Sequence, residues 1–234
     1  DDAVLCGRAW FDAVFARLDG TIRITWQAVD GDHLQADQLV CELEGNAQTI
    51  LTGERTALNF LQTLSGTASL AARYVQAIEG TGARILHTRK TLPGLRLAPK
   101  YAVRCGGCFN HRSSLGEHVL IKENHVSAAG GIASAVSRAR QSVPHTQKIE
   151  VEVRDQAEVA EALDAGADIL LLDNMSTEEL RSAVEMINGR AITEASGGVN
   201  LETIREIAET GVQLISVGAL THSYHAVDIS MLFN

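Results

Sequence analysis

The sequence predicts an α/β protein in which a (β/α) barrel follows a smaller α+β layer. Three observations carry the prediction. From residue 83 onward, short aliphatic and β-branched runs alternate with helical patterns, at 83–88, 119–122, 148–153, 168–173, 191–196 and 214–218. Such runs, separated by amphipathic helices, read as parallel strands buried on both faces. Equivalent acids recur at one interval, Glu152, Asp173 and Glu194 standing 21 residues apart, a regularity that favours a barrel over an open doubly wound sheet. The first 80 residues follow a different pattern.

In chain order, Val4 and Leu5 lead into a helical pattern, and because the chain opens Asp1-Asp2 without Met, the natural protein is expected to begin earlier. Phe11, Val14, Phe15 and Leu18 mark a short amphipathic helix. Ile22, Ile24, Trp26 and Ala28 alternate with Arg23, Thr25 and Gln27 as a one-sided strand, Asp30-Gly31 signals a turn, and Leu39, Cys41 and Leu43 supply a second alternating strand. Leu58, Leu61, Leu64, Ala68, Ala71, Val75 and Ile78 keep helical spacing across 55–79. Ser65-Gly66 in its middle predicts close packing against another element. Asp155 with Glu158, and Ser176 with Glu179, are capping boxes that open later helices; Gly166 and Gly211 stand where helices stop. The domain spans expected are 1–80, an N-terminal layer with its connecting helix, 81–222, a catalytic barrel, and 223–234, a C-terminal segment returning to the N-terminal domain.

Composition narrows the function. A chain of 234 residues with 45% hydrophobic and 21% charged content suits one large core, or one core and an appendage. Its aliphatic stretches are far too short to span a bilayer, and no charged-then-apolar leader opens it, so the reading is cytoplasmic, with no membrane partner. A net charge of −9 and a pI near 5.3 argue against a nucleic acid partner. Yet residues 84–122 hold eight of the 20 Lys and Arg (Arg84, Arg89, Lys90, Arg96, Lys100, Arg104, Arg112, Lys122) against one acid, Glu117, a local +7. That excess points to a small polyanion. The four cysteines, Cys6, Cys41, Cys105 and Cys108, are too irregular for a disulfide framework. Cys105-Gly-Gly-Cys108 with His111 lacks the second pair a structural zinc needs, which leaves a buried thiol on a glycine-rich turn as the preferred reading.

In a (β/α) barrel the C-terminal strand ends and the loops after them face the active site. Here they carry Arg89 and Lys90, Lys122, Glu150 and Glu152, Asp173 and Glu194 in turn. Buried charges on a strand layer cost several kcal/mol each, roughly, unless paired or bound to something. One outcome is a self-neutralising network of Lys122 with Glu152 and Asp173. Ser196-Gly197-Gly198 and the stretch from Gly218 to His222 end the last two runs, where glycine lets backbone N–H groups converge on a phosphate. A ligand with carboxylates at one end and a phosphate at the other would span the mouth, with the acids free to hold Mg²⁺ for a diphosphate.

The chain closely resembles the quinolinate phosphoribosyltransferase family, through "RTALNFLQTLSGTAS", "TRKTLPGLRLAPKYAVRCGG", "NHR", "LIKENH", "IEVEV", "LLDNM", "EASGGVN" and "SVGALTHS" in order. The resemblance covers nearly the whole chain, and members of the family begin earlier than this sequence does. It implies an incomplete, TIM-like (β/α) barrel of seven strands, so a seventh is expected near residues 105–112, preceded by an N-terminal α/β sandwich. It also implies a homodimer with active sites at the interface. By resemblance, Arg89, Lys90, His111, Arg112 and Lys122 match the quinolinate pocket, and Arg55, at the start of the long helix, matches the arginine given by the neighbouring subunit. Glu152 and Asp173 match carboxylates near the ribose and Mg²⁺, which is bound mainly through substrate and water. Ser196, Gly197, Gly198, Gly218 and His222 match the 5′-phosphate site, and Lys90, Glu152 and Asp173 are the catalytic set. Three positions depart from the pattern: Ser114 and Cys108 stand where glycines are usual, and Glu117 where Asp is.

The implied reaction joins quinolinate to phosphoribosyl pyrophosphate, releasing pyrophosphate and CO₂ and leaving nicotinate mononucleotide for NAD biosynthesis. The glycosylated ring nitrogen is itself an electron sink, so no organic cofactor is needed. Two other readings stay open on sequence alone. Lys122 could be a Schiff-base lysine of the aldolase kind, or the chain could be a catalytically silent relative that only binds ligand.

Overall fold

A computed structural model describes residues 2–233. The chain divides into two compact units. The first takes in the chain up to Val75, Lys90–Cys108 and the chain from Ala219 on; the second takes in Gln76–Arg89 and Phe109–Gly218.

The first unit holds β1 (Ala3–Val4), α1 (Arg8–Leu18), β2 (Arg23–Trp26), β3 (His33–Leu34), β4 (Cys41–Glu44), nearly all of α2 (Ala47–Ala77) and α3 (Leu97–Cys105). β1 pairs antiparallel with β3, and β2 with β4, in a register that sets Ile24 against Leu43 and Trp26 against Cys41. One core gathers Leu5, Phe11, Phe15, Leu34, Leu58 and Leu61. The Phe11 ring lies 5.2 Å from those of both Phe15 and Trp26, and full burial of each such side chain contributes roughly 1.5–3 kcal/mol. A second cluster joins Val4, Cys6, Leu64, Ala68, Ala98 and Ala102.

Two expectations for this region are corrected. Val4 is a strand residue and does not lead into a helix: Leu5 N–H donates to the Asp32 carbonyl at 2.9 Å, which continues the pairing of β1 with β3. Gly7, at φ 114, then turns the chain so that α1 begins at Arg8, with Asp30 Oδ1 accepting from Gly7 and Arg8 N–H. The long helix starts at Ala47, not at Arg55, with Asn46 Oδ1 accepting from Thr49 N–H at 3.1 Å. Its early turns carry few buried side chains, so the apolar stripe begins after the helix does. Arg55 therefore sits well inside α2, exposed.

The small residues of α2 meet the C-terminal segment. A Cβ at Gly66 would fall within 3.0 Å of the His225 carbonyl oxygen. Val227 N–H donates to Gln62 O at 3.1 Å, Gln62 Nε2 donates to Ile229 O at 2.9 Å, and Ile229 and Met231 pack on the first core. Residues 90–108, expected within the barrel span 81–222, belong instead to the first unit, because Ala98 and Ala102 of α3 are buried with Val4, Cys6, Leu64 and Ala68. The return to this unit begins at Ala219, a little before the expected 223.

The second unit holds β5 (Arg84–His87), β6 (Phe109–Asn110), β7 (Val119–Ile121), α4 (Glu123–Ala129), α5 (Ile132–Ser142), β8 (Ile149–Val153), α6 (Gln156–Asp164), β9 (Ile169–Asp173), α7 (Thr177–Ile187), β10 (Ile192–Ser196), α8 (Ile204–Ala208) and β11 (Leu214–Val217). They form one curled parallel sheet in the order β6-β5-β11-β10-β9-β8-β7. β6 and β7 follow each other in sequence but lie at opposite edges, so the barrel is incomplete. All six aliphatic runs are strands, and the seventh is β6, whose pairing consists of Leu86 with Phe109 and His87 with Asn110. Two residues are too few for a periodicity to mark.

The outward side chains Val151, Val153, Leu170, Leu172 and Ala195 are buried. Ser176 and Glu179 form the expected reciprocal cap of α7. The cap of α6 is only half made: Asp155 accepts from Glu158 N–H, while the Glu158 carboxylate turns to the backbone and guanidinium of Arg154. Among the described residues, no helix is long and apolar enough to cross a membrane.

Replacing Gly66 by Ala sets a methyl group against the backbone of residue 225, and overpacking of this kind costs about 1–3 kcal/mol. A urea denaturation midpoint well below that of the parent protein is the expected result; an unchanged midpoint would mean that the C-terminal segment does not rest on α2.

Candidate active site

Strand alternation and register decide which side chains share the concave face of the second unit's sheet. Leu120 pairs with Glu150, Glu152 with Leu171, Leu171 with Glu194, and Asp173 with Ser196. Glu150, Glu152, Asp173 and Glu194 therefore lie on one face, and Lys122, two residues past Leu120, falls level with Glu152.

The deepest of these is Glu150, whose side chain is fully buried. Its Oε2 accepts from His111 Nε2 at 3.2 Å and from His118 Nε2 at 2.5 Å, and the two rings stand 5.4 Å apart and nearly perpendicular. Arg112 N–H donates to His111 Nδ1 at 2.8 Å, so that Nδ1 is the acceptor and Nε2 carries the proton given to Glu150. Arg112 Nη1 in turn donates to the His118 carbonyl at 3.1 Å. Among the described residues, Glu150 Oε1 has no partner.

Burial alone would raise the pKa of Glu150, but the hydrogen bonds from the two histidines outweigh it and bring it down to about 2. Glu194 goes the other way. Burial and then the charge of Glu150 push it up to about 7, against the pull of His111, 3.9 Å away, and of the Ser216 hydroxyl, which donates at 2.5 Å. One buried acid is held ionised and its neighbour close to neutral.

Nearer the strand ends, the Lys122 ammonium forms an ion pair with Glu152, which is part of the network expected there. Asp173 Oδ2 accepts from Asn174 Nδ2 at 2.7 Å. Asn174 has a left-handed φ of 56 and donates its backbone N–H to Ser196 O at 2.8 Å. Gly197 follows at φ 98, where a Cβ would meet the Asn174 side chain within 3.0 Å. The loops after β9 and β10 are clasped together, and that clasp requires glycine at position 197.

Arg89 ends the β5 side of this unit. Its Nε is buried and has no partner among the described residues. The Arg112 pKa is lowered, first by burial and then by the charge of Arg89, with Glu150 opposing. Two guanidiniums therefore repel each other in a partly desolvated place.

The second unit thus contains Arg89, His111, Arg112, Lys122, Glu152, Asp173, Ser196, Gly197, Gly198 and Gly218 of the expected set. It brings Arg89 near Arg112, joins Lys122 to Glu152, and ties Asp173 to the glycine loop through Asn174. Arg55, Lys90 and His222 belong to the first unit; there the Lys90 carbonyl accepts from Thr221 Oγ1 at 2.7 Å, and His222 Nδ1 and Ser223 Oγ share a 2.7 Å hydrogen bond. The positive window is not one surface. Arg84 is at the N-terminal end of β5, over the Phe109 ring, and Lys100 is buried in α3. Cys108 is a buried thiol that donates to Ala71 O at 3.6 Å, its pKa pushed up to about 12 by burial.

His118 and Asn174 escaped the sequence reading. His118 lies just before an apolar run with nothing periodic to mark it. Asn174 had a usable signal, because Asn after a strand-ending acid tolerates the left-handed turn made there. As ligands for a cation, Glu152 and Asp173 offer hard oxygens suited to Mg²⁺, but two carboxylates alone do not fill its coordination shell, so substrate and water would have to complete it. His111, His118 and Glu150 place one ligand atom each within 4.8 Å of one another, all three already engaged in the hydrogen bonds described.

The raised Glu194 has a sign that can be measured. In the unfolded chain it titrates near 4.5 and in the fold near 7, so between those values the folded state binds the extra proton and stability falls as pH rises. Chemical denaturation across pH 4.5 to 7 is expected to show this fall, at most about 3 kcal/mol at 1.4 kcal/mol per pKa unit, and Glu194→Gln is expected to flatten it. A variant with the same slope as the parent protein would place the proton elsewhere.

Known proteins are similar to this chain over nearly its whole length. Residues 67–232 match the model of the quinolinate phosphoribosyl transferase C-terminal domain, and residues 1–65 match that of the N-terminal domain. The human nicotinate-nucleotide pyrophosphorylase (carboxylating) is 41% identical over 233 residues, covering 97% of this chain and 78% of that protein. The quinolinate phosphoribosyltransferase (decarboxylating) 2a of Nicotiana tabacum is 42% identical over 249 residues, covering 99% and 70%. The solved nicotinate-nucleotide pyrophosphorylase of Francisella tularensis superposes with a TM-score of 0.96 at 46% identity, covering 98% of this chain and 82% of that one. With both family domains matched in order along one chain, the protein belongs to the quinolinate phosphoribosyltransferase family.

Proposed function

We propose that this chain transfers the phosphoribosyl group of phosphoribosyl pyrophosphate to quinolinate with loss of CO₂, forming nicotinate mononucleotide for NAD biosynthesis. Family membership and the names of the relatives support the reaction. The observation that carries it in this chain is the buried Nε of Arg89, unpartnered among the described residues, beside the partly desolvated guanidinium of Arg112. Two such cations side by side call for an anion, and a pyridine with two adjacent carboxylates supplies two negative charges in a rigid plane.

In this reading Arg89, Arg112 and Lys122 orient the two carboxylates, each charge-assisted hydrogen bond being worth roughly 1.5–3 kcal/mol. Lys122 exchanges Glu152 for a substrate carboxylate, which frees Glu152 to face the sugar. His111, held by Arg112 N–H and Glu150, keeps a fixed tautomer beside them. As the ring nitrogen attacks C1 of the ribose and pyrophosphate departs, positive charge develops on the sugar, and Glu152 and Asp173 stabilise it more in the transition state than in the ground state. The nitrogen, now positive, stabilises the electron pair left on the adjacent ring carbon when the 2-carboxylate leaves as CO₂, and that carbon then takes up a proton. Glu152 and Asp173 are also the residues that would hold Mg²⁺, whose bound charge offsets that of the diphosphate. Ser196, Gly197 and Gly198 are assigned to the phosphate, where the left-handed backbone of the two glycines turns N–H groups towards an anion; Gly218 and His222 are assigned to it by resemblance to the family alone. Lys90 adds a cation and Arg55 one donated by the partner in a homodimer. The composition suits a cytoplasmic enzyme.

The Schiff-base reading is weaker, since an ammonium engaged by Glu152 is arranged to hold an anion, not to attack a carbonyl. Incubation with quinolinate, phosphoribosyl pyrophosphate and Mg²⁺ is expected to give nicotinate mononucleotide and CO₂, and nicotinate in place of quinolinate is expected to give none. Binding without turnover would leave a silent relative. Lys122→Ala and Arg112→Ala are each expected to lower kcat/KM by about 10²–10³-fold with an unchanged circular dichroism spectrum; near-parental rates would reject these roles.

A further inference from the structure

Within the first unit, a second cluster of reactive groups lies outside the proposed chemistry. The Sγ atoms of Cys6 and Cys105 and one carboxylate oxygen of Asp30 lie within 4.8 Å of one another. Cys6 is fully buried just before α1, its backbone fixed on both sides by Ser65: its N–H donates to Ser65 Oγ at 2.9 Å, and that hydroxyl donates to the Cys6 carbonyl at 3.2 Å. Cys105 is the last residue of α3 and is only half-buried. Tyr101, one helical turn earlier, donates its hydroxyl to Asp30 Oδ2 at 2.9 Å and packs its ring 5.6 Å from that of Trp10.

We propose that Cys6 and Cys105 are a redox pair, which a peroxide converts reversibly from two thiols to one disulfide. The two sulfurs differ as the chemistry requires. The Cys105 pKa is lowered, chiefly by the hydrogen bond from the Cys6 thiol and then, after an opposing effect of burial, by that from Tyr101. The same hydrogen bond and burial drive Cys6 upward. Cys105 is thus the accessible, thiolate-forming partner and Cys6 the sheltered one.

The Cys105 thiolate attacks one oxygen of hydrogen peroxide, breaking the O–O bond to give a sulfenic acid and hydroxide. Cys6 sulfur then attacks the Cys105 sulfur, the S–OH bond breaks, and the thiol proton leaves with the hydroxyl as water. Two electrons have passed from the sulfurs to the peroxide, and a dithiol reductant returns them. The other cysteines are unsuited, since Cys41 and Cys108 are each pushed up to about 12, mainly by burial. A metal site is disfavoured because both Asp30 oxygens are occupied, Oδ1 by Gly7 and Arg8 N–H and Oδ2 by Tyr101.

The test is to treat the whole protein with hydrogen peroxide, then count free thiols and map peptides without reduction. Loss of two of the four thiols, a peptide pair joined through positions 6 and 105, recovery with dithiothreitol, and a higher Tm from the long loop closed are expected. Cys6→Ser, whose hydroxyl can keep the hydrogen bond to Cys105 but cannot form a disulfide, is expected to leave Cys105 as a sulfenic acid trapped by dimedone, while Cys108→Ala behaves like the parent. Four thiols persisting, a link to Cys41 or Cys108, or Cys105 passing to sulfinic acid with Cys6 untouched would overturn the proposal. So would thiols that react only after a chelator is added.

Discussion

The barrel unit depends on placing acids on the concave face of a parallel sheet without leaving them as bare charges. Glu150 is the extreme case, a carboxylate with no exposed side-chain surface. An ion of that kind, uncompensated, costs several kcal/mol, roughly, even after the protein relaxes around it. Two imidazoles meet the demand, and in doing so they fix where His111 points, which oxygen of the connection Arg112 grips, and which form Glu194 adopts. The geometry assigned to substrate binding follows from solving one desolvation problem.

That solution also explains why cations and anions coexist in so small a space. Lys122 is matched by Glu152, and Arg112 is steadied by Glu150 at one remove, but Arg89 keeps a buried donor with no partner among the described residues. A fully self-neutralised face would be more stable and would have no reason to bind anything. The residual imbalance is positive, and it lies where a dianion is proposed to bind.

Much of the fold was legible in the sequence because parallel strands buried on both faces must be nearly continuous aliphatic runs. All six runs became strands, and the Ser176–Glu179 cap formed as its spacing requires. What stayed hidden had no periodic cause. β6 is two residues long, β1 and β3 likewise, and the first turns of α2 carry too little buried surface to announce themselves. The site was legible to the extent that charge at strand ends is unusual, which marked Arg89, Lys122, Glu152 and Asp173. His118 was invisible because its importance lies in meeting Glu150 from a loop, a contact between positions 32 residues apart. The assignment of residues 90–108 failed for a related reason: the basic run attracts the eye, whereas Ala98 and Ala102, two small side chains, decide where the segment packs.

The sheet has a seam. β6 and β7 are consecutive in the chain yet unpaired, and the eight-residue connection between Asn110 and Val119 carries His111 at one end and His118 at the other, both fastened to Glu150. The barrel wall is therefore buttoned there by side chains, where a closed barrel would be sewn by backbone hydrogen bonds. Cloth held by a button can change its cut between the stitches. Ser114 and Glu117 lie between the two anchor points, where a substitution would not undo the seam.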